Sequence, residues 1–85
     1  TNVAINTGDD QLILWPNPAS NHLNIKSSME IREVSIYNVT GALVLNDVVY
    51  TNLYQTDLST FKQGYYLARI KLVNNEVVIK KFLRN

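Results

Sequence analysis

His22 is the only histidine of the chain, and the hydroxyls that could be paired with it belong to Ser20, Ser27, Ser28, Ser35 and Ser59. A serine becomes a nucleophile beside a base that takes its proton, and the sharp elbow that exposes such a serine reads Gly-x-Ser-x-Gly. No elbow of that form occurs. His22 also opens an alternating stretch whose inward positions are Leu23 and Ile25, which leaves the imidazole on the solvent side. Cysteine is absent, which excludes a thiol nucleophile, a disulfide framework and a thiolate metal site, while leaving the compartment open. Asp9, Asp10, Asp47 and Asp57 lack the loop spacing of a calcium site, and Asp57 reads instead as a cap on its own turn. Gly8, Gly41 and Gly64 stand singly, so no glycine-rich loop can cradle a phosphate. No pair of groups is set up for general acid and base work, and the residues point to no enzyme, no metal and no cofactor.

Two surface chemistries remain. Asn38-Val39-Thr40 matches the acceptor pattern for N-glycosylation, although asparagine at a turn needs no further reason. Trp15, Tyr37 and Tyr65 could form an aromatic platform for stacking on sugar rings; the plainer reading makes them core and cross-strand partners.

The elements that would position these residues are strands. Leu12-Ile13-Leu14-Trp15 is a short apolar run stopped by Pro16 and Pro18, neither of which can donate to a ladder; Pro16-Asn17-Pro18 is thus a stiff exit from an edge strand. His22 to Lys26 and Glu33 to Tyr37 alternate, and Asn38 to Gly41 supplies turn chemistry, with Gly41 at a positive φ, before Ala42 to Leu45. Val48 to Tyr54 is a weaker strand, and Asp57 to Phe61 is a crossing turn whose Leu58 and Phe61 plug the core. Gly64 opens the strongest strand, in which Tyr66, Ala68, Ile70 and Leu72 share one face, and Asn74-Asn75 turns the chain into Glu76 to Leu83. The reading is all-β: an antiparallel immunoglobulin-like β-sandwich of about seven short strands, with a small barrel as the competing architecture. Tyr66, just after a chain reversal, fits the tyrosine corner of such sandwiches.

With 85 residues, 46% hydrophobic and 18% charged, the chain has one core's worth of material. Residues 1–10 read as a linker and 11–85 as the folded domain. The longest apolar runs fall far below the roughly 18 residues of a membrane-spanning helix. The opening Thr1-Asn2-Val3 has neither Met nor a cationic segment ahead of an apolar one, and reads as the start of a piece cut from a longer protein. The net charge of +1 conceals an asymmetry: two cations face six carboxylates up to Asp57, and six cations face Glu76 alone beyond it. The basic half could face an anionic partner, although the plainer reading is that alternate strand positions must be polar and Lys or Arg fill them; no basic run is interleaved with aromatics, which argues against nucleic acid.

Leu14-Trp15-Pro16-Asn17-Pro18-Ala19, Leu23-Asn24-Ile25, Val34-Ser35-Ile36-Tyr37-Asn38 with Gly41, Asp57-Leu58-Ser59, Gly64-Tyr65-Tyr66-Leu67-Ala68-Arg69-Ile70 and Lys80-Lys81-Phe82-Leu83 follow one another in a set order. In that order and spacing they resemble the type A C-terminal sorting domain of the type IX (Por) secretion system of Bacteroidota, from about Leu12 onward. Trp15 stands where Tyr or Phe is commoner, which would preserve an aromatic plug. The resemblance implies an address rather than an enzyme. It implies a domain that follows a secreted cargo, is recognised in the periplasm and at the outer membrane by the translocon and its shuttle proteins, and is removed by a surface sortase-like cysteine peptidase. The cargo would then be released or anchored at the cell surface. Thr7, Gly8, Asp9 and Asp10 would contain or adjoin the cleavage site, and Pro16, Asn17, Pro18, Gly41, Gly64, Tyr66, Lys80 and Lys81 would make up the sorting motif. An edge strand carrying Lys80 and Lys81 could dock a receptor or a second copy. Loss of a few C-terminal residues is then expected to abolish export while leaving most of the fold. The rival is a non-catalytic carbohydrate-binding or spacer module of a secreted glycosidase, using Trp15 or Tyr65.

Overall fold

The computed structural model describes residues 12–85, so the linker and the cleavage region at Thr7, Gly8, Asp9 and Asp10 lie outside the described residues. Five strands follow in order: β1 Leu12–Trp15, β2 His22–Tyr37, β3 Leu43–Asp57, β4 Gly64–Leu72 and β5 Val77–Arg84. All pairings are antiparallel, in the order β1-β2-β4-β5 with β3 on the other side of β2, which makes one curled sheet. The all-β antiparallel reading holds. Five strands stand in place of about seven, because two pairs of expected strands are continuous: His22–Lys26 runs on into Glu33–Tyr37 as β2, and Leu43–Leu45 into Val48–Tyr54 as β3.

The join in β3 is regular strand, in unbroken register with β2 from Leu45 to Val48, and the join in β2 is a bend rather than a loop. From Lys26 to Ile31 β2 advances five steps while its partner in β3 moves two, from Leu53 to Thr51, so β2 carries surplus backbone there. Surplus backbone needs partners away from the ladder. Asn52 Nδ2 donates to the carbonyls of Ser27 at 3.0 Å and Ser28 at 3.2 Å, and Ser27 Oγ accepts the Met29 N–H at 3.1 Å. Asn52, an apparent interruption in sequence, is therefore what holds the bend. A second irregularity between Ile31 and Glu33 switches the inward side chains from odd positions (Leu23, Ile25, Ile31) to even ones (Val34, Ile36). Simple alternation cannot anticipate such a switch.

The curled sheet encloses one core. Leu12, Leu23, Ile25, Ile31, Val34, Ile36, Leu58, Ile70, Leu72 and Phe82 are fully buried, with Tyr66, Ala68 and Val78 beside them. Leu23 and Ile25 face inward as expected, as do all four residues on the predicted face of β4. Leu58 is the plug expected of it, and Phe61 packs half-buried against the same cluster. Tyr54 is also buried, and its hydroxyl donates to the Asp47 carboxylate. Burial, then that hydrogen bond, push the Tyr54 phenol well above its ordinary pKa.

The turns follow their chemistry. Asn38 Oδ1 accepts from the N–H groups of Thr40 and Ala42, each at 3.0 Å, and Gly41 has φ +87°. Asp57 accepts from Ser59 N–H at 2.8 Å, which holds its carboxyl below the ordinary aspartate range, with smaller contributions from the Ser59 hydroxyl, Arg84 and His22. Asn75 takes φ 72° in the β4–β5 turn.

Candidate functional site

Several of the residues expected to make up the sorting motif, far apart in sequence, lie at one end of the molecule. After β1 the chain passes through Pro16, Asn17 and Pro18 and lies along the outer edge of β5. Asn17 Oδ1 accepts the Leu83 N–H at 3.1 Å. Ala19 N–H donates to Leu83 O at 2.7 Å, and Asn85 N–H donates to Ala19 O at 2.8 Å. Ala19 is fully buried, where a larger side chain would have no room. The crossing turn joins the same knot: Leu58 N–H donates to Asn21 O at 2.7 Å, and Arg84 Nε donates to Leu58 O at 3.0 Å.

Tyr66 makes the hydrogen bond to nearby backbone expected of it. Its hydroxyl donates to Lys62 O at 2.6 Å across the reversal that ends at Gly64, where φ is +142°. Its ring lies 5.2 Å from that of Phe61 and is stacked 5.6 Å from Phe82, which ties reversal, strand and core together. Pro16, Asn17, Pro18, Gly64 and Tyr66 thus build one end of the domain, and Gly41, in the β2–β3 turn, lines a groove together with Tyr66 and Lys81. The contributions of Ala19 and Arg84 were not read from sequence; the small residue after the second proline was the available signal for the first.

The two lysines differ. Lys80 is half-buried, on the same face of β5 as the inward-facing Val78 and Phe82 and opposite the buried Ala68. Lys81 is exposed, with its ammonium 4.6 Å from the centroid of the Tyr65 ring. Both line a groove of about 300 Å³ between β1 and β5, with Leu12, Leu14 and Asn17. Phe82 is core and Leu83 to Asn85 are clamped, which argues against the expectation that removing a few C-terminal residues spares the fold.

The aromatics do not form one platform. Tyr37 and Tyr65 share a groove of about 520 Å³ with Val39, Leu67 and Lys81, and Trp15 is not part of it. Trp15 is 38% exposed, so it is not the buried plug that its position suggested. Asn38 serves its turn, and His22 is exposed, as expected. Among the described residues no group of three His, Asp or Glu could hold a metal ion.

No curated protein matches the chain. A solved structure of PorZ, an essential bacterial surface component of the type IX secretion system of Porphyromonas gingivalis, matches with a TM-score of 0.67 at 16% identity. The match covers 100% of this chain and 13% of that one, so the likeness is one of fold. The model of the secretion system C-terminal sorting domain matches residues 13–85, and the chain belongs to that family.

Proposed function

We propose that this domain is the C-terminal sorting signal of a type IX secretion cargo. The observation that carries the reading is the family match across residues 13–85. In this reading the domain takes its cargo from the periplasm to the outer membrane. There the translocon and its shuttle proteins receive it, and a surface sortase-like cysteine peptidase cuts in or next to Thr7-Gly8-Asp9-Asp10. The cargo is then released or anchored at the cell surface.

Pro16, Asn17, Pro18, Gly64 and Tyr66 act as builders of the recognised shape, and Lys81 as part of what is presented. An immunoglobulin-like sandwich is retained in a modified form, with bent β2 and β3 each contributing to both layers; the bends and the tyrosine corner support it. Free sheet edges also allow self-association. The carbohydrate-module reading loses support from the separation of Trp15 from the Tyr37/Tyr65 groove and from the Lys81 ammonium over Tyr65.

The test fuses residues 1–85 to a periplasm-targeted fluorescent reporter in a bacterium that has the type IX system. Fluorescence at the surface or in the medium, lost when the translocon is disabled, is the expected result. Periplasmic retention in both strains would refute the reading.

A further inference from the structure

We propose that the outer edge of β5, from Val77 to Lys81, is a docking strip for an extended acidic segment of a protein partner; the proposal rests on the sorting-signal reading. β5 pairs with β4 in unbroken register from Lys71↔Val77 to Gly64↔Arg84. Leu83 turns both its N–H and its C=O away from β4, toward Asn17 and Ala19. Peptide groups in an antiparallel strand alternate sides every second residue, so those of Lys81, Ile79 and Val77 point the same way. The strip is bounded by the Asn17/Ala19 clamp at one end and the Asn74-Asn75 turn at the other, and at Lys80 and Lys81 it opens onto the groove of about 300 Å³ whose far wall is β1. A row of outward donors and acceptors is a template for one more strand. The other edges serve less well: β1 has four residues before Pro16, and β3 is broken by register shifts and carries no cation.

Side chains on the outer face identify the occupant. Cross-strand pairing sets Lys81 beside Leu67, Ile79 beside Arg69, and Val77 beside Lys71. The carboxylate on this face, Glu33, pairs with Lys71 and accepts from Asn46 Nδ2 at 2.9 Å. Lys81 lies over an aromatic ring, which leaves its charge available to an anion. Ile79 is 58% exposed and Tyr65 50%, and the 520 Å³ groove beside Lys81 is walled by Tyr37, Val39, Tyr65 and Leu67. A strand laid along β5 would set alternate side chains on this face: a carboxylate against Lys81 and Arg69, and an apolar group against Ile79 or in the groove.

The test uses the same reporter fusion with Ile79→Pro, Lys81→Glu, Lys81→Arg and, as a control, Lys26→Glu on exposed β2 surface. Proline at Ile79 removes an outward N–H while leaving the β4 ladder intact. Export should fall by about tenfold or more for Ile79→Pro and Lys81→Glu, since a lost ladder bond or an inverted charge costs an interface that much, and should persist for Lys81→Arg and Lys26→Glu. Melting curves of the purified variants establish folding; if Ile79→Pro melts early, Lys81→Glu decides. Wild-type export by Lys81→Glu would overturn the proposal while leaving the sorting reading intact, whereas failure of the unaltered fusion would sink the sorting reading itself. Loss in Lys81→Glu with wild-type export by a well-folded Ile79→Pro would indicate an anionic lipid surface and overturn the strand. Self-association of the purified domain that both variants abolish would assign the strip to a second copy, and would equally overturn it.

Discussion

Deleting Lys80 to Asn85 is expected to unfold the domain rather than strip a signal from an intact scaffold. Phe82 is 1% exposed and stacked on Tyr66, and removing a buried Phe side chain costs about 3–5 kcal/mol. The deletion also removes the bonds Ala19 N–H to Leu83 O, Asn85 N–H to Ala19 O, Leu83 N–H to Asn17 Oδ1 and Arg84 Nε to Leu58 O, each worth about 1 kcal/mol. Together these losses reach about 7–9 kcal/mol before the β4 ladder is counted, against a total stability of about 4–13 kcal/mol for a chain of this size. Removing Asn85 alone loses one of these bonds, about 1 kcal/mol, and should lower Tm by roughly 4–8 °C. Far-UV circular dichroism melts of residues 1–85, 1–84 and 1–79 are the assay. A cooperative transition for residues 1–79 within about 5 °C of the full domain would refute the reasoning, since a change that small corresponds to about 1 kcal/mol.

Three further outcomes are expected. Tyr66→Phe keeps the stack with Phe61 and Phe82 but loses the bond to Lys62 O, and should destabilise by about 1 kcal/mol in urea titration. Gly64→Ala meets no atom within 4 Å of the added carbon, so its cost of about 1–3 kcal/mol should come from φ +142° alone, and an unchanged Tm would contradict this. Asp57 has a depressed folded-state pKa, so its stabilising contribution is present above the ordinary aspartate pKa of about 3.9 and is lost as pH falls through the lower folded value. Asp57→Asn should therefore flatten the acid limb of the stability profile, a change read from Tm measured at pH values between about 2 and 5.

Much of this protein was legible because its signals are local. Proline stops β1 at Trp15, alternation sets Leu23 and Ile25 inward, and Tyr66 to Leu72 present one face without a break. Gly41, Asp57 and Asn75 mark turns whose chemistry lies within two to four residues. The order of these short motifs also carried the family resemblance.

Tertiary structure decided what depends on long-range partners. Asn52 reads as a flaw in a strand until its amide is found on the carbonyls of Ser27 and Ser28, where it holds the bend through which two expected strands become the single β2. The parity switch after Ile31 arises from one extra residue, invisible to a period of two. Asn17 and Leu83 are 66 residues apart, and nothing near either announces that one accepts a hydrogen bond from the other. Types and order of residues thus determined the strands, the turns and the kinship of the chain. Which edge is clamped among the described residues, and why Phe82 is core while Leu83 to Asn85 are held against Ala19 and Leu58, were decided by packing, because hydrogen bonds across a sheet join positions that local sequence does not relate.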